Sequence, residues 1–103
     1  MNKTVVYEYT LQQAIADGEL VELFKDRWEE LTGGKPIVAT RHIYTEFNES
    51  AFQYIWDMYV HWAKHVEPSL PEEERMFSTK MHDKTVWVIE DGQAFTILFP
   101  EDY

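Results

Sequence analysis

No cysteine occurs in the 103 residues. That removes disulfides, thiolate zinc sites, iron–sulfur clusters and cysteine nucleophiles together, and it is compatible with a reducing cytoplasm. Basic residues are scarce: nine Lys and Arg stand against nineteen Asp and Glu, a net charge of −10. Phosphate backbones are gripped by clustered Lys and Arg, so direct nucleic-acid binding is not expected. Long hydrophobic runs are missing as well. No window approaches the roughly 18 apolar residues of a membrane span, and MNKTVVYEYT has no apolar leader core. The expectation is a cytoplasmic protein with no membrane partner. Neither G-x-G-x-x-G, a P-loop nor a G-x-S-x-G elbow is present. No cofactor is therefore expected, and Ser50, Ser69 and Ser78 read as cap, turn and strand residues.

Aromatics are what the chain has in quantity: four Trp, six Tyr and six Phe. They give a small single domain, spanning 1–103, ample area per residue for a core without metal or disulfide staples. They concentrate in Asn48 to Glu67, the stretch around which the rest is organised. At 100° per residue, Met58, Ala51, Trp62, Ile55, Val66, Tyr59, Phe52, Ala63, Trp56 and Val60 fill an arc of about 200°. Such a helix should be covered on more than one side, with Phe52, Ile55, Tyr59, Ala63 and Val66 as expected core. Asn48 with a Phe47–Phe52 staple, or Ser50 with Gln53, can cap its start, and Pro68 and Pro71 end it.

Before that helix, Thr4 to Tyr9 reads as a short strand or extended lead-in. Thr10 and Gln13 form a capping box for a helix over Leu11 to Asp17, closed by Gly18. Spacing predicts a helix from Val21 to Leu31, stopped by Gly33-Gly34 and Pro36, with Lys25 and Glu29 as an i,i+4 pair. A brief strand over Glu19 to Leu23 is the alternative. Ile37 to Phe47 stays open between a strand and a short helix capped by Thr40. After the organising helix, Ser69 to Glu72 can support one extra turn, and Glu72 to Glu74 should sit in solvent. The period then changes to two. Phe77 to Met81 reads as a strand, and Thr85 to Glu90 and Gln93 to Phe99 as a hairpin turning on Asp91-Gly92. That turn sets Val88 opposite Phe95 and Val86 opposite Ile97. Helices followed by an antiparallel meander make an α+β domain.

Several segments, taken together, resemble an uncharacterised family of small bacterial proteins often carried on plasmids and phages. Y-x-Y-T-L-Q-Q-A-I-A-D-G-E-L-V at Tyr7 to Val21 is similar to the family's opening. Pro36 to Thr40 matches P-[IV]-[VA]-x-T, Ile55 to Ala63 a Trp- and Tyr-containing helix, and Thr96 to Asp102 the ending T-I-x-x-P-E-D. This chain is shorter than many members between the helix and the terminal strands. The resemblance implies an accessory protein of mobile DNA and supplies no catalytic residues.

Among candidate sites, Asp57, His61 and His65 follow one another at i, i+4, i+8 along one helix edge. Two imidazoles a turn apart can share a metal, and the carboxylate can ligate it or orient His61. The pattern lacks the glutamate of H-E-x-x-H. A metal-dependent hydrolase there would need a further ligand, for which His42 and His82 are available. The plainer reading is a solvated edge with an Asp57–His61 ion pair. Tyr54, Trp62, Trp87 and Tyr103 lie nearest the expected edges, and such residues favour interfaces. They are the partner-binding candidates, including for a homodimer through the helix or the hairpin's outer face. The expectation is a non-enzymatic protein that binds another protein, as yet unidentified. The alternative is an acidic nucleic-acid mimic built on Glu22, Asp26, Glu29, Glu30 and Glu72 to Glu74.

Overall fold

A computed structural model of the chain describes residues 10–103; the strand expected over Thr4 to Tyr9 lies outside them. The capping box forms as read: Thr10 Oγ1 accepts from the Gln13 amide (3.1 Å) and Gln13 Oε1 from the Thr10 amide (2.9 Å). It starts helix α1, Leu11–Ala16. Gly18 follows at φ 80°, and the Glu19 amide closes on Ala14 O (2.9 Å). A Cβ at Gly18 would stand 3.2 Å from the Arg41 guanidinium, whose Nε donates to Gly18 O at 2.9 Å.

The helix expected over Val21 to Leu31 does not form as one piece. Leu20–Glu22 is strand β1, antiparallel to β2, Ile37–Thr40. The Leu23 amide continues the pairing by donating to Ile37 O (2.8 Å), and Phe24 then turns left-handed at φ 55°. A bulky residue in that region is a genuine break in the backbone path. A 3₁₀ turn, Lys25–Arg27, leads into helix α2, Trp28–Thr32. Trp28 Nε1 donates to Leu23 O at 2.7 Å and pins the detour. Non-local strand pairing has beaten a local helical spacing that was only approximate. Lys25 accordingly pairs back with Glu22 (3.4 Å) and not with Glu29. Gly33, at φ 76°, ends α2 as expected, with its amide on Glu29 O and that of Gly34 on Trp28 O.

Both readings of Ile37 to Phe47 hold, one after the other. Strand β2 runs to Thr40, whose hydroxyl then accepts from the Ile43 amide (3.4 Å) to cap helix α3, Arg41–Tyr44. The organising helix, α4, spans Glu49–His65. Its cap is Asn48, whose Oδ1 accepts from the Ala51 amide (2.9 Å), and the Phe47 and Phe52 rings meet edge-on at 6.1 Å. After α4 the chain makes two 3₁₀ turns, Glu67–Ser69 and Glu72–Glu74, the second in solvent.

Strands β3 (Phe77–Met81), β4 (Lys84–Glu90) and β5 (Phe95–Leu98) complete a five-stranded sheet in the order β1-β2-β5-β4-β3. The architecture is α+β, as expected from the change of period. The meander is extended by the two N-terminal strands through a parallel β2–β5 join. The β4–β5 register differs from the expected one by two residues. Val88 faces Ile97, and Glu90 faces Phe95. Asp91 is the reason: its Oδ1 accepts from the Gln93 (2.7 Å) and Ala94 (3.0 Å) amides. It therefore stands at the shoulder of the turn, and Gly92-Gln93 form the tip. A shift of two preserves which side chains share a face.

Helix α4 lies on the face bearing Phe77, Val86, Val88, Ile97 and Phe99, and the buried cluster joins these to Phe52, Ile55, Trp56 and Tyr59. Phe52, Ile55 and Tyr59 are core as expected. Ala63 is half-buried, and Val66, at 38% exposed, is not core. It falls on the helix's last turn, where the chain bends away. The other face holds Val38 and Leu98, both buried, beside the half-buried Trp87 and Ile89.

Candidate functional site

The Asp57, His61, His65 edge is where its spacing puts it, on the outside of α4. The two imidazole rings lie 4.6 Å apart, centroid to centroid. Asp57 does not pair with His61; its Oδ1 accepts from Gln53 Nε2 at 3.0 Å, one turn the other way. Among the described residues no three His, Asp or Glu side chains converge as metal ligands would. His42 and His82 do not join the edge: His42 binds Asp102, and His82 lies 5.6 Å from the Phe47 ring.

Beside that edge runs an apolar stripe. Tyr54, Met58, Trp62 and Val66 recur every fourth residue, which aligns them along one side of α4. With Asp57, His61 and Phe77 they line an open groove of about 390 Å³. Tyr54 is 55% exposed. Phe77, on β3, is the strand residue that lines the groove, and two residues along that strand Thr79 Oγ1 lies 3.9 Å from Met58 Sδ. Two of the four aromatic candidates, Tyr54 and Trp62, thus share one concave surface. Trp87 and Tyr103 pair with each other elsewhere, their rings edge-on at 5.9 Å. Trp62 and Tyr103 also border a second depression of about 280 Å³ around Tyr59 and Met76. Burial, with help from Glu90 and Glu67, pushes the Tyr59 hydroxyl up to about 12, so it stays neutral near pH 7.

A third cluster escaped the sequence reading. Asp102 Oδ1 lies 2.9 Å from His42 Nδ1, while Oδ2 accepts from Thr40 Oγ1 (2.8 Å) and the Phe99 amide (3.3 Å). The hydrogen bond to Asp102 holds the His42 imidazole above its ordinary value, with burial working against it. For Asp102, burial acts to raise the carboxyl, yet the bonds from His42, Thr40 and Phe99 win and hold it below the usual range. An Asp–His pair brings a catalytic triad to mind, but the hydroxyl that joins this one, Thr40 Oγ1, donates to the carboxylate. Among the described residues no hydroxyl is hydrogen-bonded to the His42 ring, the nucleophile-to-base contact that acyl transfer uses. The cluster works as a latch between the Pro100–Asp102 turn and the start of α3. Its one visible sequence signal is P-E-D, a proline opening a turn with a capping acid two residues on.

Electrostatically, acids are interleaved with cations. Lys25–Glu22, Arg27–Glu30, Lys35–Glu90 and Lys84–Glu46 pairs, at 3.0 to 3.4 Å, lie on different elements. No helix among the described residues is long and apolar enough to cross a membrane. No family model, curated protein or solved structure matches the chain.

Proposed function

We propose that this chain is a small non-enzymatic interaction protein that works by docking another protein in the groove between α4 and β3. The observation that carries the reading is the stripe Tyr54, Met58, Trp62, Val66 set beside β3, which no further strand pairs among the described residues. Large apolar side chains in a concave strip with a polar border are how protein-binding surfaces are built. The resemblance to plasmid- and phage-carried proteins extends the proposal to an accessory protein of bacterial mobile DNA, acting in the cytoplasm. The mimic reading draws support from the exposed run Glu72 to Glu74. It has less support overall, because Glu22 and Glu30, two of its expected contributors, are engaged by neighbouring cations. Affinity capture from bacterial cells with the native chain and with a Tyr54→Lys, Met58→Lys double variant tests the proposal. A protein retained by the native chain and lost by the variant supports it. Identical captured sets would sink it, and a capture abolished by moderate salt would favour mimicry.

A further inference from the structure

Two of the four histidines share the outer edge of α4 near its C-terminal end. His61 and His65 are four residues apart, so one helical turn brings both side chains to the same edge. Both are exposed. The backbone beneath them is regular helix to the end, with the Val66 amide donating to Trp62 O at 2.9 Å. Among the described residues neither ring has a hydrogen-bond or ion-pair partner. His42, by contrast, is held by Asp102, and the Asp57 carboxylate, one turn before His61, accepts from Gln53. The ring nitrogens of the pair are therefore uncommitted. Their centroids stand 4.6 Å apart, with the planes tilted by 42° and so not packed flat on each other.

We infer that His61 and His65 form a two-imidazole chelate for a divalent transition metal of the nickel, copper and zinc class. The spacing of the rings is what such a chelate requires. A metal held about 2.0–2.1 Å from an imidazole nitrogen lies about 3.2 Å from that ring's centroid. Two rings meeting on it at about 90–110° then stand about 4.5–5.2 Å apart, centroid to centroid. The observed 4.6 Å falls inside that span. Imidazole nitrogen selects the ion class, because magnesium and calcium demand oxygen ligands. Two electrostatic features favour a cation here. The last turn of a helix carries the negative end of its dipole, and the chain's net charge of −10 draws cations towards it. With no third protein ligand among the described residues, water fills the remaining positions and the metal exchanges readily. His61 also lines the groove, so the chelate borders the docking surface, yet it needs no partner to form.

Titration of the untagged full chain with nickel chloride tests this, at about pH 7.5, where free imidazole is mostly neutral. Calorimetry should find a single Ni²⁺ site per chain. His61→Gln and His65→Gln should each weaken it about tenfold or more, since each deletes the second, intramolecular contact. The double variant should be little weaker than either single one. Both side chains are exposed, so the variants should keep the fold, and circular dichroism checks that they do. In NMR spectra, substoichiometric Ni²⁺ should broaden the ring signals of His61 and His65 before those of His42 and His82. Added imidazole should displace the metal, and excess Mg²⁺ should not. Four results would each overturn the inference. These are native binding no tighter than that of the double variant, single variants that each keep a site of native affinity, earlier broadening at His42 or His82, and displacement by Mg²⁺. None of them bears on capture of a protein through Tyr54 and Met58, so the docking reading stands or falls separately.

Discussion

The two sides of α4 carry much the same kinds of side chain and meet opposite fates. Phe52, Ile55, Trp56 and Tyr59 are sealed against the sheet, whereas one turn of rotation away Tyr54, Met58, Trp62 and Val66 stand at an open groove. Helical periodicity sees all of these except Tyr54 as a single arc of about 200°. What separates them is the width of the sheet, whose last strand among the described residues, β3, does not reach under the second stripe. Apolar area on a helix therefore reports what the helix is able to cover. It does not report what covers it.

That contrast can be broken most sharply by truncation on the sealed side. Phe52, 2% exposed, replaced by Ala should cost about 3–5 kcal/mol of stability, through lost burial and the cavity left behind. Urea unfolding followed by fluorescence of the four tryptophans reads this directly. A small polar residue off the helix should come next. Asp102→Ala leaves the Thr40 hydroxyl and the Phe99 amide without their partner, for a loss of about 2 kcal/mol in the same assay. Tyr54→Lys, on the open side, should stay within about 0.5 kcal/mol of the native chain despite removing a large aromatic. If it cost as much as Asp102→Ala, the stripe would be part of the core and the distinction would collapse.

The smallest effect is in pH. The imidazole of His42 is held above its ordinary 6.5, so its contribution is full below that value and fades as the pH rises through the raised one. The Asp102 carboxyl is held below its ordinary 3.8, so its contribution is present above that and fades as the pH falls further. The latch is accordingly strongest between the two. The gap in urea midpoint between the native chain and a His42→Gln variant should be widest near about pH 5 and narrow by about pH 8.5. A gap that widened with rising pH would contradict the assignment.

Local chemistry was legible from the residues. The Thr10–Gln13 box, the Asn48 cap, the Gly33 stop and the strand over Phe77 to Met81 each carry a mechanism within a few positions. Ile37 to Phe47 was ambiguous because it contains a strand and a helix in sequence, with Thr40 serving as the end of one and the cap of the next. The failures share a cause. The helix expected over Val21 to Leu31 lost to pairing between Leu23 and Ile37, and the hairpin register was moved by a side chain of Asp91 that prefers the turn's shoulder. At the sites, the spacing that put Tyr54 and Trp62 together was visible in the helix. The β3 strand beside them was not, since its place depends on how the sheet is ordered. The His42–Asp102 latch joins positions 60 apart, and nothing near either residue announces the other.

The parallel join of β2 to β5 has a consequence for how quickly the molecule can assemble. The β1–β2 ribbon is too short to persist alone, and its other strand neighbour among the described residues, β5, lies more than fifty residues further along the chain. That loop must close before the N-terminal strands gain anything from the sheet, and α4 has no complete floor until it does. Folding should therefore be slower than the helical content suggests, because the rate follows the sequence distance between contacts. Mutations at Ile37, Val38 or Ile97 should slow folding, whereas those along the outer stripe of α4 should leave its rate alone.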